Sequence, residues 1–221
     1  TFIPLAEESG LINEIGHWVF VEAARQVKCW RNTLTPDFQI SVNVSPVQMR
    51  TSDLSALWLP LLAEMGLEGN SLVIEITEGM LLEDSCQIVK QLQAFRQAGV
   101  QLAIDDFGTG YSSLSYVQKL DIDYLKIDQS FIRNLASKKN DRALSESMVA
   151  MAHKLGLSVI AEGVETQTQS DLLSKMGCDY VQGYLYAKPV PAEVFEWMLN
   201  RSGKAQLNDQ LALASAAEEA D

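Results

Sequence analysis

Along the chain, short apolar runs alternate with polar loops and with longer stretches whose apolar residues recur at helical spacing. Apolar and polar positions taken in turn predict strands, and recurrence every three to four residues predicts helices packed on them. Six strands follow from the pattern: 40–45, 72–77, 102–106, 124–128, 159–162 and 180–182. In the first, Ile40, Val42 and Val44 share one face while Ser41, Asn43 and Ser45 share the other. In the second, Leu72, Ile74 and Ile76 oppose Val73, Glu75 and Thr77. The aliphatic faces are expected against helices and the polar faces inward.

The helix exits share one punctuation mark. Met65-Gly66-Leu67, Ala98-Gly99-Val100, Leu155-Gly156-Leu157 and Met176-Gly177-Cys178 each place glycine where a left-handed cap is needed, shortly before a strand. Residues 11–30 read as the first helix. Ile88, Leu92 and Phe95 form one core-facing stripe, and Leu144, Met148, Met151 and Leu155 are expected to form another, as core rather than as a cofactor box. Strand, loop and helix in repeating order predict a parallel α/β architecture. Polar residues at the inward strand ends favour a TIM-type (β/α) barrel over a doubly wound sheet, whose strands would be apolar on both faces. Six strands against the usual eight predict that about two lie upstream of Thr1, so the chain, which opens without Met, reads as a piece of a longer protein. The barrel domain is assigned to 1–200. The acidic, Ala-rich end, 201–221, is expected to be a frayed helix or disordered.

Composition narrows the ligand. Lys and Arg number 17 against 29 Asp and Glu, a net charge of −12, which disfavours long nucleic acid as a partner. A phosphate-bearing ligand would need local positive charge, and bound metal cations supply it. Cys29, Cys86 and Cys178 have no CxxC spacing, and His17 and His153, the two imidazoles, fall in helical patterns as surface or core residues. A reducing, cytoplasmic compartment is expected. No apolar run approaches the roughly 18 residues of a membrane span. Any membrane or sensor segment of the parent protein would lie upstream.

Nearly every predicted strand ends in a hard donor: Asn43, Glu75, Asp105 with Asp106, Lys126, Glu162 and Gln182. Any one Asp or Asn there is commonly the cap of the next helix. Six in succession are not all caps, since Lys126 cannot be one, and Glu75 and Glu162 need a cation to justify partial burial. Carboxylates with an amide, lacking Cys and His, suit Mg²⁺ or Mn²⁺ rather than zinc. The Asp105-Asp106 pair would share two ions, and a two-metal clamp serves in-line phosphodiester displacement. Lys126 reads either as a cation acting on the attacking water or the phosphate, or as an ion-pair partner for the carboxylates. The stretch 105–113 reads as strand, Gly-Thr-Gly turn and a helix start capped by Ser112 or Ser113, a loop able to couple a partner's conformation to the site.

Phe-Ile-Pro-Leu-Ala-Glu-Glu (2–8), Val-Asn-Val-Ser-Pro-Val-Gln (42–48), Glu-Ile-Thr-Glu (75–78), Asp-Asp-Phe-Gly-Thr-Gly-Tyr-Ser-Ser (105–113), Leu-Lys-Ile-Asp (125–128), Ala-Glu-Gly-Val-Glu-Thr (161–166) and Gln-Gly-Tyr (182–184) stand in order along the chain. Together they resemble the motifs of EAL domains, bacterial cyclic di-GMP phosphodiesterases. The resemblance implies a modified TIM barrel with one antiparallel strand and hydrolysis of cyclic di-GMP to pGpG with two Mg²⁺ or Mn²⁺ ions. It implies Asn43, Glu75, Asp105, Asp106 and Glu162 as metal ligands, with Glu162 and Lys126 catalytic and Lys126 assisting the attacking water. Gln48, Lys126, Glu165, Gln182 and Tyr184 are implied in the shell around the substrate, with Gln182 at the barrel floor. It further implies a homodimer through helix 113–119 and upstream sensory or GGDEF-type domains. The family's Glu-Ala-Leu strand is absent from these residues. Two rivals stand beside the phosphodiesterase: a catalytically inactive cyclic di-GMP receptor or dimerisation module, and an enolase-like barrel with Lys126 as base, which Asn43 and the Asp pair fit poorly.

Overall fold

The computed structural model describes residues 2–81, 85–110 and 120–200. They belong to two compact units, one of Thr1–Asp105 and Gly110–Asp123, the other of Asp106–Thr109 and Tyr124–Asp221.

The first unit runs α1 (Ile3–Ser9), α2 (Ile12–Thr33), β1 (Ile40–Val44), α3 (Pro46–Thr51), α4 (Leu54–Glu64), β2 (Leu72–Thr77), α5 (Glu78–Leu81), α6 (Cys86–Gln97) and most of β3 (Gln101–Phe107). β1, β2 and β3 pair parallel in that order. The expected alternation holds in β1, where Val42 and Val44 are buried and Ser41 and Asn43 exposed. Where α2, α4 and α6 meet, Phe20 stacks on Trp58 with ring centroids 4.1 Å apart, and Trp58 lies 6.2 Å from Phe95. All three are fully buried, each contributing roughly 1.5–3 kcal/mol. Helix α1 is an addition to the expected elements: Pro4 presets φ in its first turn, and Gly10, at φ 78°, ends it. The helix expected over 11–30 is α2, one residue later at its start and three longer at its end.

The second unit holds β4 (Tyr124–Ile127), α7 (Gln129–Arg133), α8 (Lys139–Lys154), β5 (Ser158–Ala161), α9 (Gln167–Lys175) and β6 (Tyr180–Val181), with β4, β5 and β6 parallel in order. All six expected strands are therefore present, each within one residue of its expected ends. Among the described residues every strand pairing within a unit is parallel, so the antiparallel strand of the resemblance is not one of these. The four helix exits carry Gly66, Gly99, Gly156 and Gly177 at φ 68°, 82°, 78° and 79°.

One helix face differs from expectation. Ile88, Leu92 and Phe95 are buried, but in α8 Leu144 is 48% exposed and Met148, Met151 and Leu155 only half-buried. The buried face is Ser145, Val149 and Ala152. Small side chains bring this helix close to its neighbours, and Ser145 enters the core because its Oγ donates to the Asp141 carbonyl at 2.9 Å. The expected helix 113–119, its Ser112 or Ser113 cap and the tail 201–221 lie outside the described residues. Among the described residues no helix is long and apolar enough to cross a membrane.

Candidate functional site

Parallel pairing sets Asn43 directly opposite Glu75, and Thr77 opposite Asp105. In-register residues leave a sheet on the same side, and Glu75 and Thr77 share a face because they are two apart. Asn43, Glu75 and Asp105 are thereby carried by three adjacent strands on one face of the first unit. Glu75 is buried, Asp105 half-buried and Asn43 exposed.

Asp106 would point the other way in an extended strand. Instead its backbone is left-handed, φ 54°, a conformation that costs most residues about 1–2 kcal/mol and that Asp tolerates better. The Thr109 N–H and Oγ1 donate to its carbonyl at 3.3 and 2.8 Å, closing the turn. Asp106 and Glu162, both of the second unit, bring carboxylate oxygens within 4.8 Å of each other. Two carboxylates offering one oxygen each form a hard donor pair of the kind that helps hold a divalent cation.

Glu162 sits just past β5, its N–H donating to the Ile127 carbonyl at 3.1 Å. Lys126 on β4 is buried at 3% exposure, with Nζ 2.7 Å from Glu162 Oε1. The Gln182 Nε2 donates to that same oxygen at 2.6 Å. Gln182 thus stands at the carboxyl end of β6 beside Glu162. The neighbouring Gly183 has no room for a Cβ, which would collide with the Val164 backbone. That close approach lets the Val164 N–H reach the Gln182 carbonyl at 3.1 Å and the Leu185 N–H the Val164 carbonyl at 2.9 Å, tying the Gln-Gly-Tyr turn to the loop after Glu162.

The remaining residues of the implied substrate shell divide. Glu165 is exposed, and its N–H donates to Gln169 Oε1 at 2.9 Å; Tyr184 is 59% exposed, with Lys188 Nζ 5.5 Å from its ring centroid. Gln48 is enclosed. It is 1% exposed, its Oε1 accepts the Ser45 N–H at 3.1 Å in a capping box on α3, and its amide packs on Gly16. So placed, Gln48 orders the turn after Asn43.

Sequence reasoning passed over Glu78, the last residue of Glu-Ile-Thr-Glu. It is buried, and its Oε2 accepts the Gly110 N–H at 3.3 Å, holding one end of the glycine loop. An acidic residue immediately after a strand, beyond the one already assigned to metal, was the available signal.

A family model described as the EAL domain matches residues 1–189. The oxygen sensor protein DosP of Escherichia coli (strain K12) is 41% identical over 198 residues, 89% of this chain and 25% of its own length. The bifunctional diguanylate cyclase/cyclic di-GMP phosphodiesterase MucR of Pseudomonas aeruginosa is 41% identical over 192 residues, 87% of this chain and 28% of its own. The chain thus spans about a quarter of the length of these curated relatives. Among solved structures, the c-di-GMP complex of the PaMucR phosphodiesterase superposes with a TM-score of 0.84 at 41% identity, covering 88% of this chain and 78% of that one. The manganese/cy-diGMP complex of Klebsiella pneumoniae BlrP1 gives 0.68 at 31% identity, over 77% of this chain and 44% of that one. These likenesses place the chain in the α/β, TIM-type fold class expected from its strands.

Proposed function

The chain belongs to the EAL domain family, and from that premise we propose that it carries the catalytic site of a metal-dependent phosphodiesterase that opens cyclic di-GMP to pGpG. The supporting observation is the pair of carboxylates Asp106 and Glu162, with buried Lys126 held on Glu162. A chain of net charge −12 meets an anionic dinucleotide only through local cations. Hard oxygen donors fit Mg²⁺ or Mn²⁺, and Asn43, Glu75, Asp105, Asp106 and Glu162 would hold them. Two ions there would screen the phosphate and make water acidic enough to attack near neutral pH.

In the reaction a water oxygen bonds to phosphorus, one ring P–O bond breaks and the departing alcohol oxygen gains a proton. Lys126 has donors only and would offer them to the reacting oxygens. Glu162 orients that ammonium, and Gln182 orients Glu162 through the oxygen they share. Glu165, Gln182 and Tyr184 would complete the substrate shell. The whole protein would carry further domains, act in the cytoplasm and pair through helix 113–119; sedimentation of the full-length protein tests the pairing, and a concentration-independent, active monomer excludes it as a requirement.

The direct test is incubation of the full-length protein with cyclic di-GMP and Mn²⁺, followed by chromatography. Production of pGpG, lost in Asp105→Ala, is the expected result. Tight binding of cyclic di-GMP with no pGpG would make the protein a receptor instead.

A further inference from the structure

Two stretches of the chain carry the same device at the same spacing. In the first unit, Asp123 Oδ2 accepts the Leu102 N–H at 2.8 Å and pairs with Arg96 Nη1 at 2.6 Å. In the second, Asp179 Oδ2 accepts the Val159 N–H at 2.7 Å and meets His153 Nε2 at 2.8 Å. Arg96, Gly99, Leu102 and Asp105 match His153, Gly156, Val159 and Glu162 in spacing. Likewise Asp123, Tyr124 and Lys126 match Asp179, Tyr180 and Gln182. Each aspartate stands directly before one strand and holds the second residue of another. Each held strand residue, and each aspartate, lies three positions before a residue of the proposed site.

We propose that His153 and Asp179 are positioning residues: together they clamp the amino ends of β5 and β6, and so set where Glu162 and Gln182 stand at the other ends. β5 has four residues and β6 two, paired in register at Ile160 with Tyr180 and Ala161 with Val181. So short a ladder leaves its ends free to tilt, and the Asp179 carboxylate adds a rung before it begins. Three residues of strand carry that constraint roughly 10 Å to Glu162, whose Oε1 receives both Gln182 and Lys126. The one oxygen, Asp179 Oδ2, meets both the Val159 N–H and His153 Nε2. Both side chains are partly exposed, 41% and 29%, so their pairing contributes little to stability; its value lies in geometry.

This inference rests on the phosphodiesterase reading for Glu162 and Lys126, and the test separates the two. In the full-length protein with Mn²⁺ and cyclic di-GMP, Asp179→Asn keeps an oxygen for Val159 and removes the charge facing His153, while His153→Ala removes the other partner. Each is expected to lower kcat about tenfold with KM changed less than about twofold, as losses of outer positioning groups do. His153→Arg, which installs the cation of the first clamp, is expected to return kcat to within about twofold of the parent. Folded Asp179→Asn and His153→Ala proteins with unchanged kcat well below their melting temperatures would overturn the inference. Amide exchange across 159–164 and 180–185 should quicken in both variants and recover in His153→Arg. If the parent protein makes no pGpG, the functional reading fails and this exchange alone decides the clamp, unchanged exchange overturning it.

Discussion

Lys126 and Glu162 form a pair whose members are unequal in burial, the lysine enclosed and the carboxylate half-buried. Removing the ammonium should cost turnover rather than binding, because a cation aimed at developing charge is felt most in the transition state. Lys126→Ala is expected to lower kcat by about 10²- to 10³-fold. Affinity for cyclic di-GMP, measured by calorimetry with Ca²⁺, should change less than about threefold. Equal losses in both would make Lys126 an ordinary phosphate contact. The three cysteines make a second residue-scale prediction. Cys29 and Cys86 are exposed and Cys178 is buried, with its thiol pushed up to about 12 chiefly by burial. Thiol reagents should modify two cysteines in the native protein and the third only on unfolding. Since the folded pKa lies above the ordinary value of 9.0, the thiol's contribution is intact below pH 9 and is lost as pH rises from 9 toward 12. The melting temperature should therefore fall more steeply above pH 9 than in Cys178→Ala; parallel curves would refute this. At this scale strand parity and spacing put Asn43, Glu75, Lys126 and Glu162 at or near the carboxyl ends of their strands, where the structure has them. They did not reveal that Asp106 turns left-handed or that Gln48 is enclosed.

At the scale of elements, α8 shows how periodicity can choose the wrong face. Hydrophobicity selects Leu144, Met148, Met151 and Leu155, yet the closest packing selects Ser145, Val149 and Ala152. Val149→Ala should destabilise by about 2 kcal/mol, the loss of two buried methyl groups with a partial cavity. Leu144→Ala should stay within about 0.5 kcal/mol, as exposed substitutions do. Chemical denaturation of both variants decides the face, and the reverse ranking would restore the hydrophobic stripe. The loop after β5 depends on another buried polar residue. Gln169 Oε1 accepts the N–H groups of Glu165 and Thr166, both at 2.9 Å, while its Nε2 donates to the Ile132 carbonyl at 3.0 Å. Gln169→Ala leaves these groups without that partner, at a cost of about 1–3 kcal/mol. It should also quicken amide exchange at Glu165 and Thr166, and slow exchange there would show that the loop is held by other means.

For the molecule as a whole, the acidic excess and the carboxylate group predict that divalent metal stabilises the fold. Mn²⁺ at about 100 times its dissociation constant should add about 2.7 kcal/mol, read as a rise in melting temperature. Asp106→Asn should lose most of that rise; an equal rise in the variant would remove Asp106 from the ligand set. The sequence by itself determined the order and type of the six strands, the glycine-capped exits, the polar strand ends and the resemblance to EAL motifs. These depend on side-chain alternation, backbone sterics and short-range chemistry, all carried by neighbouring residues. Only the tertiary structure decided which of those residues meet. The turn of Asp106 toward Glu162, the enclosure of Gln48 against Gly16, the buried face of α8 and the hold of Asp179 on Val159 each join residues through packing or a backbone twist that no local pattern specifies. A hydrophobic stripe states what a helix can bury, whereas the available space decides what it does bury.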